Sequence, residues 1–293
     1  MERRTIFPGL TLPILLVLPQ LLLTAVFFLW PAGEAIWASM QRADPFGIRV
    51  QFIGLDNFSD LFSDPLYIDS IGRTAFFCAA VTVLSMVIAM VLAIAADREL
   101  RGRNLYRILL IWPYAVAPAV AAVLWVLLLH PQIGLIGRWL NGIGISWNYA
   151  LNGMQAMLMV ILASTWKQIS YNFIFFLAGL QSIPRSVIEA ARMDGAKGFF
   201  RFRTVILPLL MPTVFFLLVV NLVYAAFDTF GTIQAMTQGG PGKATETLMV
   251  KVYRDGVVNL DIGSSSAQSV VLMFGIIVLT ALQFRFLGRR STE

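Results

Sequence analysis

Apolar runs dominate this chain, and polar residues come in short islands between them. Six runs approach or exceed the ~18 apolar residues that a helix needs to cross a bilayer. They lie at about 11–31, 74–96, 106–130, 154–180, 209–228 and 266–287. The pattern predicts an all-α membrane protein, a single domain over 1–293, with six transmembrane helices. The first run resembles a signal peptide, but it is long for one and carries Pro13 and Pro19, so it is expected to be retained.

The islands differ in character. Residues 32–72 form a loop with an acidic tilt, through Glu34, Asp44, Asp56, Asp60, Asp64 and Asp69. Its D-P-F-G and G-L-D-N-F stretches predict turns and a short packed element. The loop at 229–263 holds T-Q-G-G-P-G-K-A-T-E-T-L, where Gly239, Gly240 and Pro241 mark a tight, specifically shaped turn. The pieces at 97–105 and 288–293 read as charged connectors.

The island at about 181–207 is polar and basic. Ser182 is expected to cap a helix with Pro184 in its first turn, where a missing N–H is not needed. Val187, Ile188 and Ala191 then share one face. Asp194-Gly195 stops the helix, because glycine tolerates the left-handed conformation. A second helical stretch from Lys197 runs to Leu207-Pro208 and into the fifth span. Taken as residues alone, this loop is equally a handle for another protein and an ordinary basic anchor.

Composition agrees with the membrane class. Hydrophobic residues make up 58% of 293 and charged residues 13%, against roughly 45–50% and 25% in soluble domains. The net charge of +6 points to basic loops facing anionic lipid and partners, not to nucleic acid. Basic residues are retained on the cytoplasmic side. With the N-terminus inside, fourteen Lys and Arg fall on inside segments, among them Arg3, Arg4, Arg98, Arg101, Arg103 and Arg107. Six fall outside: Arg42, Arg49, Arg138, Lys243, Lys251 and Arg254. Both termini are therefore expected in the cytoplasm.

Several chemistries are excluded. The glycines before Lys243 do not make a phosphate loop, since Thr237 and Ala244 stand where that motif needs Gly and Ser or Thr. There is no H-E-x-x-H, no Cys/His cluster for a metal and no G-x-S-x-G. Cys78 is a lone apolar-like residue in the second span. His130, the lone histidine, ends the third span beside Pro131 as an interfacial residue. No enzyme activity and no cofactor are expected on this chain, so any driven work draws energy from another one.

Polar residues inside spans face a bundle interior or a water-filled path. Ser164, Gln168 and Tyr171 fall at i, i+4 and i+7, with Lys167 and Asn172 flanking them. Lys167 lies near mid-membrane, roughly 20 Å by helix rise before Gln181. Asn221, Tyr224 and Asp228 form a second stripe. Each is equally readable as an interhelical hydrogen bond. Trp125 and Trp166 read as packing. Asp228 could pair with the Lys167 ammonium when the path is empty.

Glu189, Ala190, Ala191, Asp194, Gly195, Ile206, Leu207 and Pro208 resemble the E-A-A loop of binding-protein-dependent ABC importers. L-A-G-L-Q-S-I-P at 177–184 and T-Q-G-G-P at 237–241 are similar to the sugar-type, maltose-permease-like branch. P-Q-L at 19–21, W-P-A-G-E-A at 30–35, P-Y-A-V-A-P-A-V-A-A-V-L-W at 113–125, W-K-Q-I-S-Y-N-F at 166–173 and N-L-V-Y-A at 221–225 resemble the A-type permeases of bacterial sn-glycerol-3-phosphate importers.

The resemblance implies a type I importer permease in the bacterial inner membrane. It implies a second permease subunit, two copies of an ATPase that carries ATP and Mg²⁺, and a periplasmic substrate-binding protein. Glu189, Ala190, Ala191, Asp194 and Gly195 would grip the ATPase. Gly239, Gly240 and Pro241 would shape a face for the binding protein. Ser164, Gln168, Tyr171, Asn221, Tyr224 and Asp228 occupy the positions of the sugar-contacting stripe in maltose-type permeases. The cargo implied is glycerol-3-phosphate or a glycerophosphodiester, with a neutral sugar or oligosaccharide as the alternative. A stand-alone secondary transporter or channel is the alternative of another class; such carriers do not need the basic loop, and many show paired repeats absent here.

Overall fold

The computed structural model describes residues 11–44, 49–97 and 103–290. Arg3, Arg4, Arg98 and Arg101, counted above for orientation, and most of the D-P-F-G stretch lie outside the described residues. The chain falls into two compact units, Met1–Asp64 with Val252–Met273, and Pro65–Lys251 with Phe274–Glu293.

In the first unit, α1 (Thr11–Ser39) is 29 residues long and apolar on all sides. It leads into a hairpin of β1 (Gln41–Ala43) and β2 (Val50–Phe52), antiparallel with Arg42 opposite Gln51. The following helix α2 (Asp56–Ser63) is pinned to the hairpin by polar contacts. Asn57, buried, donates through Nδ2 to Ser39 O at 2.8 Å and Gln41 O at 2.9 Å. Arg42 pairs with Asp60 at 2.8 Å, and Trp37 stacks on Phe52. This is the packed element expected from G-L-D-N-F.

The second unit is built on α3 (Pro65–Asp97), α4 (Arg103–Ala115), α5 (Pro118–Leu129), α6 (Leu135–Gly142) and α7 (Gly153–Ser182). It continues with α8 (Arg185–Met193), α9 (Gly198–Asp228) and α10 (Phe230–Met236). Two further helices, one beginning at Leu248 and one running Ile262–Arg290, each contribute residues to both units. One core cluster joins Phe77 and Val81 of α3 to Met159 and Val160 of α7 and Ile233 of α10. The other sets Ala89, Ala93 and Ala96 of α3 against Phe173, Phe176 and Leu177 of α7. Small residues on one helix admit large ones from the next, which is how helices pack closely where lipid removes the hydrophobic drive.

Among the described residues four helices are long and apolar enough to cross a membrane singly: α1, α3, α9 and Ile262–Arg285. α7 is 30 residues, roughly 45 Å by helix rise, and α8 turns away from it by 71°. The span expected at 106–130 is not one rod. α4 and α5 meet at 104°, and each alone is too short to cross. Pro118 opens α5, and it holds Ala117 extended at ψ 140°, since a residue before proline disfavours the helical region.

One expected detail differs, and one is filled in. Ser182 does not cap α8. It ends α7 and donates back to Gly179 O at 2.8 Å, while Pro184 is the residue from which α8 starts. His130 caps a turn: its Nδ1 accepts from Gln132 N and Ile133 N. Trp125 and Trp166 pack edge to face at 6.0 Å, as read from the sequence.

Candidate functional site

α7 carries both flanks of the first stripe, and the structure sends them to different neighbours. Asn172 faces α3 and α9. Its Nδ2 donates to Ser85 Oγ at 3.1 Å and Asn221 Oδ1 at 3.0 Å, and Asn221 Nδ2 returns a bond to Asn172 Oδ1 at 2.7 Å. Ser85 Oγ donates to Asn221 Oδ1 at 3.0 Å. All three are at 0% exposure. Asn172 and Asn221 thus tie three helices together, and Ser85 completes the tie. Ser85 was not singled out in the sequence. Its sole signal is its place, one turn before Ala89 on the buried face of α3.

This network permits a direct test. Asn172→Ala leaves Ser85 and Asn221 short of a donor inside the bundle. Interhelical bonds of this kind contribute about 0.6 kcal/mol on average, up to about 1.7. The purified variant should melt a few degrees lower while uptake per assembled molecule stays near the parent. A large loss of uptake at unchanged melting would place Asn172 in the path instead.

Lys167 turns the other way, toward the break between α4 and α5. Its Nζ donates to Val116 O at 2.6 Å and Tyr114 O at 3.4 Å, and it lies 5.9 Å from the Tyr114 ring centroid. The carbonyls at the end of α4 lack helical partners, and an ammonium is a favourable neighbour there. Non-helical backbone at membrane depth persists only where such groups satisfy it. The pair expected between Lys167 and Asp228 does not form among the described residues. Asp228 is exposed at the end of α9.

The remaining stripe residues cluster nearby. Ser164 and Gln168 are buried, and Tyr171 is half-buried. Tyr224 donates its hydroxyl to Ser164 O at 3.3 Å. Tyr171 lies against Tyr114 at 5.9 Å and Phe175 at 4.8 Å. Ser164 Oγ, buried, has no hydrogen-bond partner among the described residues. The stripe therefore combines a cation, an unsatisfied hydroxyl and aromatic faces beside a broken helix.

The basic loop folds as a short helix with a complete stop. Gly195 N donates to Arg192 O at 3.1 Å and Ala196 N to Ala191 O at 2.9 Å, with Gly195 at φ +81°. This bond pair is a Schellman motif, and it requires the left-handed residue that glycine supplies. Ala191 and Ala196 are buried, while Glu189, Ala190 and Asp194 are exposed. Met193 is 88% exposed and Phe199 74%. The sequence reading treated this island as polar and passed over its apolar tips.

The Gly239–Pro241 turn is knit inward. Thr245 Oγ1 donates to Gly240 O at 2.9 Å and lies 2.7 Å from Thr237 Oγ1. Gly239 is buried at φ +84°. Thr245, Glu246 and Thr247 beyond it are buried, and Leu248 N donates to Thr74 Oγ1 of α3 at 2.8 Å.

These features define a multi-span helical membrane protein with a broken helix beside a polar stripe and an exposed basic loop. The chain matches, over residues 85–292, the family described as binding-protein-dependent transport system inner membrane component, and it belongs to that family. It is a multi-pass permease subunit of the inner membrane, not an enzyme in its own right. It is 55% identical over 288 residues, 98% of each chain, to the sn-glycerol-3-phosphate transport system permease protein UgpA of Rhizobium meliloti strain 1021. The protein of the same name from Yersinia enterocolitica is 58% identical over 279 residues, 95% of each chain. Among solved structures, a chain of a bacterial alginate ABC transporter in complex with alginate pentasaccharide-bound periplasmic protein superposes with a TM-score of 0.82. It is 22% identical, with 96% of this chain and 95% of that one covered. That likeness shows the fold.

Proposed function

We propose that this chain is one of two permease subunits of an ATP-driven importer that carries glycerol-3-phosphate or a glycerophosphodiester into the cytoplasm. The observation that carries the cargo is identity of 55–58% along nearly the whole chain to permeases named for that substrate. The second permease lies beside this one, and each grips one ATPase subunit through its E-A-A loop. ATP and Mg²⁺ act on the ATPase. A periplasmic binding protein delivers cargo from outside, and both termini lie in the cytoplasm.

Lys167 then has two roles in sequence. With the path empty, its ammonium holds the carbonyls at the α4–α5 break. An anionic cargo competes for that ammonium, and its phosphate oxygens replace Val116 O as the acceptor. Ser164, Gln168 and Tyr224 offer the polar groups that a glycerol hydroxyl needs.

Uptake of labelled glycerol-3-phosphate by cells lacking their native permease tests this reading, with co-purification of an ATPase as the second arm. Uptake of a neutral sugar instead would overturn the cargo. A chain that transports with no ATPase bound would overturn the class.

The Gly239–Pro241 turn gives a further test. Valine at Gly239 meets left-handed backbone, costing roughly 1–2 kcal/mol, so less protein should assemble. In what does assemble, Gly239→Val with Gly240→Val should lower binding-protein-stimulated ATP hydrolysis more than basal hydrolysis. Equal loss of both rates would assign the turn to folding alone.

A further inference from the structure

A groove of about 620 Å³ runs between α3 and α9, within the second unit. Met86, Met90 and Ile94 form one wall, spaced one helix turn apart, and Ile206 and Val214 stand on the other. Its lining is almost wholly apolar, with one exception. Arg201, in the first turns of α9, lines it too.

Arg201 is half-buried, and its Nε is closed off from solvent with no hydrogen-bond partner among the described residues. The Arg201 side chain makes no hydrogen bond or ion pair among the described residues. Glu189 and Asp194, the acids of the adjoining loop, do not reach it. An arginine brings five N–H donors and no acceptor. A buried donor left without an acceptor is unfavourable, and an anion at the guanidinium would offset that cost. Lys197 and Arg203, both exposed, add positive charge at the same end.

We propose that the groove holds an acyl chain of an anionic phospholipid, with the lipid phosphodiester on Arg201. A free phosphate would leave the apolar walls uncovered. An apolar helix would leave Arg201 without an acceptor. A lipid satisfies both, and basic pockets between membrane helices are known to take phosphorylated headgroups. The segment lining the groove from Gly198 to Ile206 continues directly from the E-A-A loop. Lipid occupancy therefore sets how firmly that loop is held when it meets the ATPase. This consequence for coupling rests on the transport reading above.

The test uses the intact importer, released from detergent in a mass spectrometer after exposure to phosphatidylglycerol or phosphatidylcholine. The parent should retain phosphatidylglycerol in preference by at least about fivefold, the scale of one arginine at a membrane surface. Arg201→Gln should remove the preference. Met90→Trp, which fills the groove, should lose both lipids. In nanodiscs, binding-protein-stimulated ATP hydrolysis by the parent should respond to added phosphatidylglycerol, and that by Arg201→Gln should not. Equal retention by parent and both variants overturns the proposal. So does a disulfide, formed with added oxidant, between Met90→Cys and a cysteine introduced in the second permease, which would show a protein in the groove. No lipid preference in the parent, with its uptake intact, counts against the lipid site alone. Intact preference with no uptake of any anionic cargo counts against the transport reading alone.

Discussion

Joining Glu189→Lys to Gly195→Arg should abolish uptake while leaving the protein in the membrane. Both positions are exposed, and a Cβ at Gly195 meets nothing within 4 Å. The core of the second unit is untouched. What changes is the loop's surface and its stop. Arginine at φ +81° costs roughly 1–2 kcal/mol in left-handed backbone, and it loosens the pair of bonds that fixes the end of α8. In the proposed contact Glu189 meets a basic residue on the ATPase; lysine at 189 reverses that charge, and like charges across an interface cost several kcal/mol. The variant should be found in the membrane at near-parent amounts, show no uptake, and lose its ATPase on purification. Gly195→Ala alone carries the backbone strain without the bulk and should retain part of the activity. Normal uptake by the inserted double variant would sink the coupling role of this loop.

That the loop could be read in advance and the path only in part has a physical reason. The loop's chemistry is local: proline before the helix, glycine after it, and an Asp-Gly stop lie within a dozen residues. Its cap could not be read the same way, because Ser182 had two helices to serve and went to α7. The third span shows a different limit. Pro113 and Pro118 are plain in the sequence, yet proline is tolerated in membrane helices as a kink. Hydropathy averages over the run and cannot tell a kink from a turn of 104°. The stripe on α7 shows a third. Periodicity groups Ser164, Gln168 and Tyr171, but it does not say how the helix is rotated among its neighbours. Lys167 and Asn172 are five residues apart, about 140° around the axis, so one meets the α4–α5 break and the other meets α3 and α9. Reading both as lining one path passed over that divergence. The carbonyls that hold Lys167 are backbone atoms, which no residue pattern marks.

The Lys167 site leads to the most discriminating result expected. Lys167→Met should cut glycerol-3-phosphate uptake by at least about tenfold, roughly 1.4 kcal/mol on the rate-limiting barrier. Two mechanisms contribute, and they can be separated. Methionine keeps the length and apolar stem but offers no donor, so Val116 O and Tyr114 O lose their partner at the break. That loss lowers the stability of the α4–α5 turn whatever the cargo. The same change removes the cation that a phosphate would meet in a low-dielectric path, where charge interactions are several times stronger than in water. The first effect appears as a lower melting temperature of the purified importer. The second appears as slower uptake of anionic cargo by molecules that are assembled and folded. Lys167→Arg restores charge and donors with different geometry, so it should recover more uptake than Lys167→Met and most of the stability. Uptake of labelled substrate, normalised to protein in the membrane, is the measurement. If Lys167→Met melts lower yet transports as well as the parent, the lysine is a strut for the broken helix only. The phosphate reading of the path then fails, and a neutral cargo takes its place.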